Sequence, residues 1–418
     1  MYAGRPFRLL VAQPVNPVMI TDERPSKVGQ PLVPPQSSYW HSTPDALASV
    51  VATIADLAPD TDEEGAFPEE AFQLLAESGL LAATLPGQPL DNHGQHTAQL
   101  LHLLKRIGAA NLAVGRVYEG HINALLLAHL FGNAEQHRRW QADVQRGALF
   151  SVWNTQADDG VRIHALGGGR YALEGHKTFC SGAGWITRPL ITGELLSGPT
   201  SDGRRGWQMC IVPTEHAKVI GQDDRFWKPL GMRASASFKL DFTGVELDES
   251  DLLGQPGDYF RQPYFSGGAI RFAAVQLGGA EALLEATRDM LRSMGRTDDV
   301  FQKTRLAEMA YRIESGNQWL NAAGTNNDAW LRAGEADSAS RIVAYANMTR
   351  TAIEEICLKV MQLAERSVGA RGLLRPLPFE RIHRDLTMYL RQPAPDATLA
   401  DIGTYVSQQS APTHRLWA

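Results

Sequence analysis

Phe179 and Ser181 stand two residues apart near the end of the stretch 171–183, YALEGHKTFCSGA, and Gly182, Ala183 and Gly184 follow them. Residues two apart in a strand share a face, and small residues leave the main chain approachable. A ring, a hydroxyl and open backbone on one face make a seat for a planar cofactor, whose electronics a nearby hydroxyl can tune. Glu119 and His121 are further candidates, because both fall inside an otherwise apolar helical stretch. His121 reads either as an acid–base group or as a core histidine bonded to a main-chain carbonyl.

Other chemistries find little support. Cys180, Cys210 and Cys357 are isolated, never spaced C-x-x-C, and the histidines form no H-E-x-x-H. Neither a disulfide framework nor a metal centre is expected, and a reducing cytoplasm suits the thiols. A formal charge of −6 gives no electrostatic footprint for nucleic acid or an anionic membrane. No stretch reaches the roughly 18 apolar residues that a bilayer span needs, and the start lacks a signal-peptide pattern.

The elements that must position these residues fall into three blocks. Residues 1–40 carry Pro6, Pro14, Pro17, Pro25, Pro31, Pro34 and Pro35 with little periodicity, and are expected to form an extended or disordered arm. Helical patterns fill 41–147: Leu47, Val50, Val51 and Ile54 on one face, an acidic loop over 60–64 suited to solvent, a start at Phe67-Pro68-Glu69-Glu70, and two apolar helices over 97–109 and 114–131. Residues 148–260 alternate as strands, among them 171–179, with Tyr171, Leu173 and Phe179 on one parity. From 261 to 392 the helical period returns, with Ile270, Ala273, Leu277, Ala280, Leu284 and Leu291 on one stripe and Ile342, Ala346, Ile353, Ile356, Val360 and Leu363 on another. A tail over 393–418 closes the chain. The expected fold is α+β multidomain: an N-terminal helical domain, a central β-barrel or sandwich, and a C-terminal four-helix bundle.

That order, with Phe67-Pro68, Gly79-Leu80, Lys177-Thr-Phe-Cys-Ser181, Pro229-Leu-Gly-Met-Arg233, Leu306-Ala-Glu-Met309 and Glu380-Arg-Ile-His-Arg-Asp385 as landmarks, resembles the acyl-CoA dehydrogenase superfamily over about residues 40–403. Phe179-Cys-Ser-Gly-Ala183 is most similar to its reduced-flavin monooxygenase branch, which includes the dibenzothiophene monooxygenases. The resemblance implies a flavin between the β-domain and the bundle. Phe150, Val152 and Trp153 would lie on the strand that contacts the isoalloxazine, with Phe179 and Ser181 beside its reactive nitrogen. Arg366, Gly369, Arg371 and Gly372 resemble the loop that holds the pyrophosphate and adenosine of FAD. A homodimer or homotetramer assembled through the bundle is implied too, together with an electron-transfer or flavin reductase partner.

The sequence also departs from the pattern. Asp158-Asp159 replace a phosphate-binding segment, and no Arg-x-x-Phe-Gly loop stands between Met294 and Phe301. The two family positions for the glutamate that removes a thioester α-proton hold Pro393 and Ile270, neither of which accepts a proton. Asp396 is the nearest downstream carboxylate and reads as a solvated loop residue between forced extended prolines. Asp385 is expected to pair with Arg381 or Arg384. The run from Gln392 to Val406 is similar to the tail of the reduced-flavin monooxygenases; there His121 falls near one active-site histidine, and Arg391 stands where the second would be. Three functions are thereby expected: a flavin oxidoreductase acting on an acyl-CoA or related thioester, with FAD and no catalytic glutamate; a monooxygenase taking reduced FMN or FAD as co-substrate, with His121 and Ser181 catalytic; or a non-catalytic binding or scaffold member of the family.

Overall fold

In the computed structural model, residues 32, 39–196, 206–214, 221–333, 338–392 and 394–417 are described. Nearly all of the expected arm over 1–40, the loop residues 201–203 and Pro393 lie outside the described residues.

Thr43 caps α1 (Pro44–Leu57) by accepting from the Ala46 N–H. Pro68 stands at the N-cap of α2 (Glu69–Glu77), and the Phe67 ring before it stacks on Trp185 of the central domain at 4.6 Å. After α3 (Thr97–Ala110), Asn111 ends one helix and caps the next, α4 (Leu112–Phe131), by accepting from Ala113 and Val114. An Asn133/Gln136 capping box opens α5 (Ala134–Gln145). The acidic loop is not only solvated: Asp62 reaches across to pair with Arg384, and Glu64 pairs with Lys228.

The central domain is built from β1 (Phe150–Trp153), β2 (Arg162–Gly167), β3 (Arg170–Glu174), β4 (His176–Cys180), β5 (Arg188–Leu196), β6 (Gly206–Ile211), β7 (Gly221–Asp223), β8 (Phe238–Asp241), β9 (Glu246–Asp248) and β10 (Leu252–Leu253). One sheet runs β10-β6-β5-β2-β3-β9. β5 splits its outer edge, taking β1 in parallel over Arg188 to Ile191 and β2 in parallel over Glu194 to Leu196. The second sheet is β4-β8-β7.

The single strand expected over 171–179 is two strands in two sheets. Gly175 divides them at φ 107°, where a Cβ would stand 2.4 Å from the Gly160 carbonyl oxygen, so no other residue fits the crossing. A register shift between Lys177 and Cys180 then reverses the expected parity beyond Lys177, burying Thr178 and turning Phe179 outward.

The C-terminal helices are α6 (Ala269–Ser293), α7 (Val300–Ala333), α8 (Ala339–Gly372) and α9 (Phe379–Tyr389), followed by α10 (Pro395–Gln408). α6, α7 and α8 pack side by side, α9 lies against α6 and α8, and α3 lies on α6 and α7, joining the two helical domains. The expected stripe on α6 is buried except at Leu284, where Leu283 takes the core position. Two expectations change here. The segment 369–372 is the kinked last turn of α8, non-helical only at Gly369, rather than a free loop. Pro395 occupies the first turn of α10, which replaces the expected extended backbone, and Arg350 holds that helix through Thr398 at 2.5 Å and the Gln392 carbonyl at 2.6 Å.

The three cysteines are free and buried, Cys180 in β4, Cys210 in β6 and Cys357 in α8. No described helix is long and apolar enough to cross a membrane.

Candidate functional site

Three of the four non-glycine residues with left-handed backbone among those described, Phe179 (φ 54°), Met232 (φ 58°) and Ala236 (φ 40°), fall in β4 or in the loop 229–237 that is bonded to its end. Each such position costs of order 1 kcal/mol and persists only where its surroundings hold it. The loop 229–237 is laced to the end of β4: Gly182 N–H donates to the Ser235 carbonyl at 2.8 Å, and Ala183 N–H to that of Ala236 at 3.1 Å. Between the segments lie three buried hydroxyls in a row, Ser181 Oγ to Ser237 Oγ at 2.9 Å and Ser237 Oγ to Ser235 Oγ at 2.7 Å. No carboxylate bonds any of the three among the described residues. The Phe179 ring is 40% exposed, its edge set against Phe226 and Trp227.

α9 holds that loop from behind. The Met232 N–H donates to Asp385 Oδ1 at 2.5 Å, and a Cβ on Gly231 would stand 2.0 Å from the Arg384 carbonyl oxygen. Asp385 therefore bonds main chain rather than the expected arginine, while Arg384 pairs with Asp62 and Glu380. Burial pushes the Asp385 carboxyl up to about 6, against the opposing pull of the Met232 N–H and Arg381.

β1 forms the floor. Phe150 and Trp153 are buried, Val152 is half-buried, and Trp153 Nε1–H donates to the Ser181 carbonyl at 3.0 Å, tying β1 to the end of β4. Beneath it, His121 has both ring nitrogens engaged with main chain, Nε2 with the Leu81 carbonyl at 2.8 Å and Nδ1 with the Phe150 N–H at 3.1 Å. An Nδ1 that accepts and an Nε2–H that donates describe a neutral ring, and burial lowers its pKa to about 4. Proton transfer by His121 would require breaking one of these bonds. Lys177, also buried, donates to the Asn154 carbonyl, Gln156 Oε1 and Thr192 Oγ1 at 3.0, 2.6 and 3.1 Å.

The residues expected to hold phosphate lie apart from this cluster in the chain's architecture. Arg366, Gly369 and Arg371 are exposed on the final turns of α8, and Gly372 is buried against Val368. Of the two carboxylates that replace the phosphate-binding segment, Asp159 is paired with Lys239 at 2.6 Å and His176 at 3.2 Å. Arg391 pairs with Glu354, and Asp396 is an exposed first-turn residue of α10. Ile270 is buried.

A second polar group was not foreseen as a unit. On α4, Glu119 accepts from Arg116 Nη1 at 2.7 Å and from the Asn123 amide, whose carbonyl accepts from Arg271 Nε on α6. The i, i+4 spacing of Glu119 and Asn123 and the Ser-x-Ser of 235–237 are the sequence signals that could have revealed these partners.

Comparison with known proteins bears on both helical domains. The model of the acyl-CoA dehydrogenase N-terminal domain matches residues 45–148 and that of the C-terminal domain residues 270–390. The dibenzothiophene monooxygenase of Mycolicibacterium goodii is 24% identical over 383 residues, covering 84% of this chain and 90% of that protein. An acyl-CoA dehydrogenase of Bacillus subtilis (strain 168) is 26% identical over 360 residues, covering 82% and 89%. Among solved structures, FMN-bound TdsC from Paenibacillus sp. A11-2 superposes with a TM-score of 0.77 at 20% identity, over 88% of this chain and 99% of that one.

Proposed function

The chain belongs to the acyl-CoA dehydrogenase superfamily, and from that premise we propose that it is a flavin-dependent monooxygenase that takes reduced FMN or FAD as a co-substrate together with oxygen. The observation that carries this reading is the buried row Ser181–Ser237–Ser235, free of any bonded carboxylate. Hydroxyls in such a row can orient, donate and pass hydrogen bonds, but they are far too weak as bases to pull a proton from carbon. When bound, flavin supplies a ring that accepts and releases electrons. Phe179 and Val152 present the apolar surface against which that ring would lie, and their partial exposure fits a planar group better than an apolar core. Ser181 offers the hydroxyl, with Ser237 fixing its direction and Ser235 backing Ser237. His121 takes a positioning part by holding Phe150 and thus β1, rather than the proton-transfer part its type suggests. Arg366, Arg371 and the kink at Gly369 lie apart from the Ser181 cluster, so in this reading they would meet the flavin's phosphate side from a second copy of the chain, with the kink leaving backbone open and two guanidinium groups that have no bonded partner among the described residues able to fork onto oxygens. In the same reading the chain assembles as a homodimer or homotetramer, which would cover Val300 and Phe301, 65% and 70% exposed at the start of α7.

Equilibrium dialysis against oxidised and anaerobically reduced FMN and FAD tests this. Saturable uptake of a reduced form, weakened by Ser181→Ala, is expected. No uptake of any of the four forms would leave a binding or scaffold role in its place. A second reading, oxidation of an acyl thioester, is favoured by the match of the C-terminal domain model over 270–390. It requires that acyl-CoAs bleach bound oxidised flavin without oxygen, whereas the monooxygenase reading requires that they do not.

A further inference from the structure

Glu119 has one carboxylate and two arginines near it. One of its oxygens is matched by Arg116 and the other by the Asn123 amide, so its charge is answered on α4 itself. Arg271 donates only to the Asn123 carbonyl, from Nε, and among the described residues it makes no ion pair and no other hydrogen bond. Four N–H donors on its two Nη atoms are therefore unengaged, on a half-buried residue. Arg271 lines a cavity of about 70 Å³ between the N-terminal helices and the bundle. The lining beside it is divided by chemistry. Leu126 and Leu130 of α4 and the Tyr264 ring supply apolar surface, while Asn327 of α7 donates to Thr97 and leaves its carbonyl. Asp91 also reaches this lining, but its oxygens accept from the Gly87 and His93 N–H groups, both at 2.8 Å, and from the His93 ring at 2.9 Å.

We propose that this cavity is a binding site for a small organic monoanion, a carboxylate with a short apolar body, whose oxygens take the free end of the Arg271 guanidinium. A planar anion meets two Nη groups end-on in the geometry that charged, paired hydrogen bonds favour. A cation at the free end of the guanidinium would meet its positive charge directly, and a neutral amide of the same shape would lose the ionic part of the contact. The volume is about half of the roughly 150 Å³ that admits benzene, which suits a body of a few carbons. The site goes beyond the flavin reading, since it is defined without Ser181 or any cofactor.

The probes are butanoate and butanamide, titrated calorimetrically into the full-length flavin-free protein. Butanoate should bind saturably and at least about tenfold more tightly than butanamide. Arg271→Gln should abolish the difference, and Arg271→Lys should keep a preference for the acid, which separates loss of charge from loss of fold. Leu126→Trp, which leaves Arg271 in place and fills the apolar side, should abolish binding of both. Equal binding of acid and amide, no saturable binding of butanoate, an unchanged preference in Arg271→Gln or unchanged binding in Leu126→Trp would each overturn the assignment. None of these outcomes bears on flavin uptake, so the two readings fail separately.

Discussion

Asp385→Asn tests how α9 holds the loop that carries Ser235 and Ser237. The substitution keeps an oxygen for the Met232 N–H and removes the titration. In the folded protein the carboxyl sits at about 6 against 3.8 for an unperturbed aspartate, because it is buried. A carboxyl raised in the fold binds more protons folded than unfolded, so its contribution to stability is full below 3.8 and is lost as pH rises through 6. The gap is worth about 3 kcal/mol in all, of which about 2 kcal/mol falls between about pH 4.5 and about pH 7.5. His121 runs the opposite way over nearly the same window, since its pKa is lowered to about 4. The wild-type profile alone therefore decides nothing, whereas the difference between wild type and Asp385→Asn cancels His121. Urea unfolding followed by tryptophan fluorescence at matched pH gives that difference, and the variant should gain about 2 kcal/mol on wild type from about pH 4.5 to about pH 7.5. A flat difference, or one favouring wild type as pH rises, would show that Asp385 is not a buried, upshifted carboxyl.

Replacing His121 by Gln should flatten the loss of stability that its depressed pKa causes as pH falls from about 6.5 to about 4, read from the same urea series. Burial lowers the Lys177 ammonium to about 8 from 10.5, so the cost of its charge is present below about 8 and is relieved as pH rises toward 10.5. Wild type should accordingly gain stability relative to Lys177→Met across that interval, and a constant difference would refute the lowered value. Phe179→Gly should relieve the left-handed strain at φ 54° and alter stability by no more than about 1 kcal/mol while weakening flavin uptake; unchanged affinity by dialysis would remove the ring from the seat.

What the sequence made legible followed from periodicity. The stripes on α6 and α8 and the change from helix to strand between Gln145 and Phe150 could be read because burial of one face repeats with the geometry of the element. The break at Gly175 could not, since it depends on Gly160, a residue brought opposite only by folding. Nor could the outward turn of Phe179, which follows from a register shift with β8. Ser181 was visible beside its small neighbours, but Ser237 and Ser235 reach it through a loop whose left-handed Met232 and Ala236 carry no turn residue to announce them. Asp385 looked like an arginine's partner because Arg381 and Arg384 are its sequence neighbours, while its true partner, the Met232 N–H, is 153 residues away.

The inaccessibility of the three thiols gives the protein a built-in set of timers. Cys180, Cys210 and Cys357 belong to the small sheet, the large sheet and the bundle, and burial pushes each pKa well above an ordinary thiol's. Alkylation of any one must await opening of the layer that encloses it. Timed exposure to a thiol reagent, followed by peptide mass spectrometry, would therefore rank the lifetimes of the three layers in the unmodified chain.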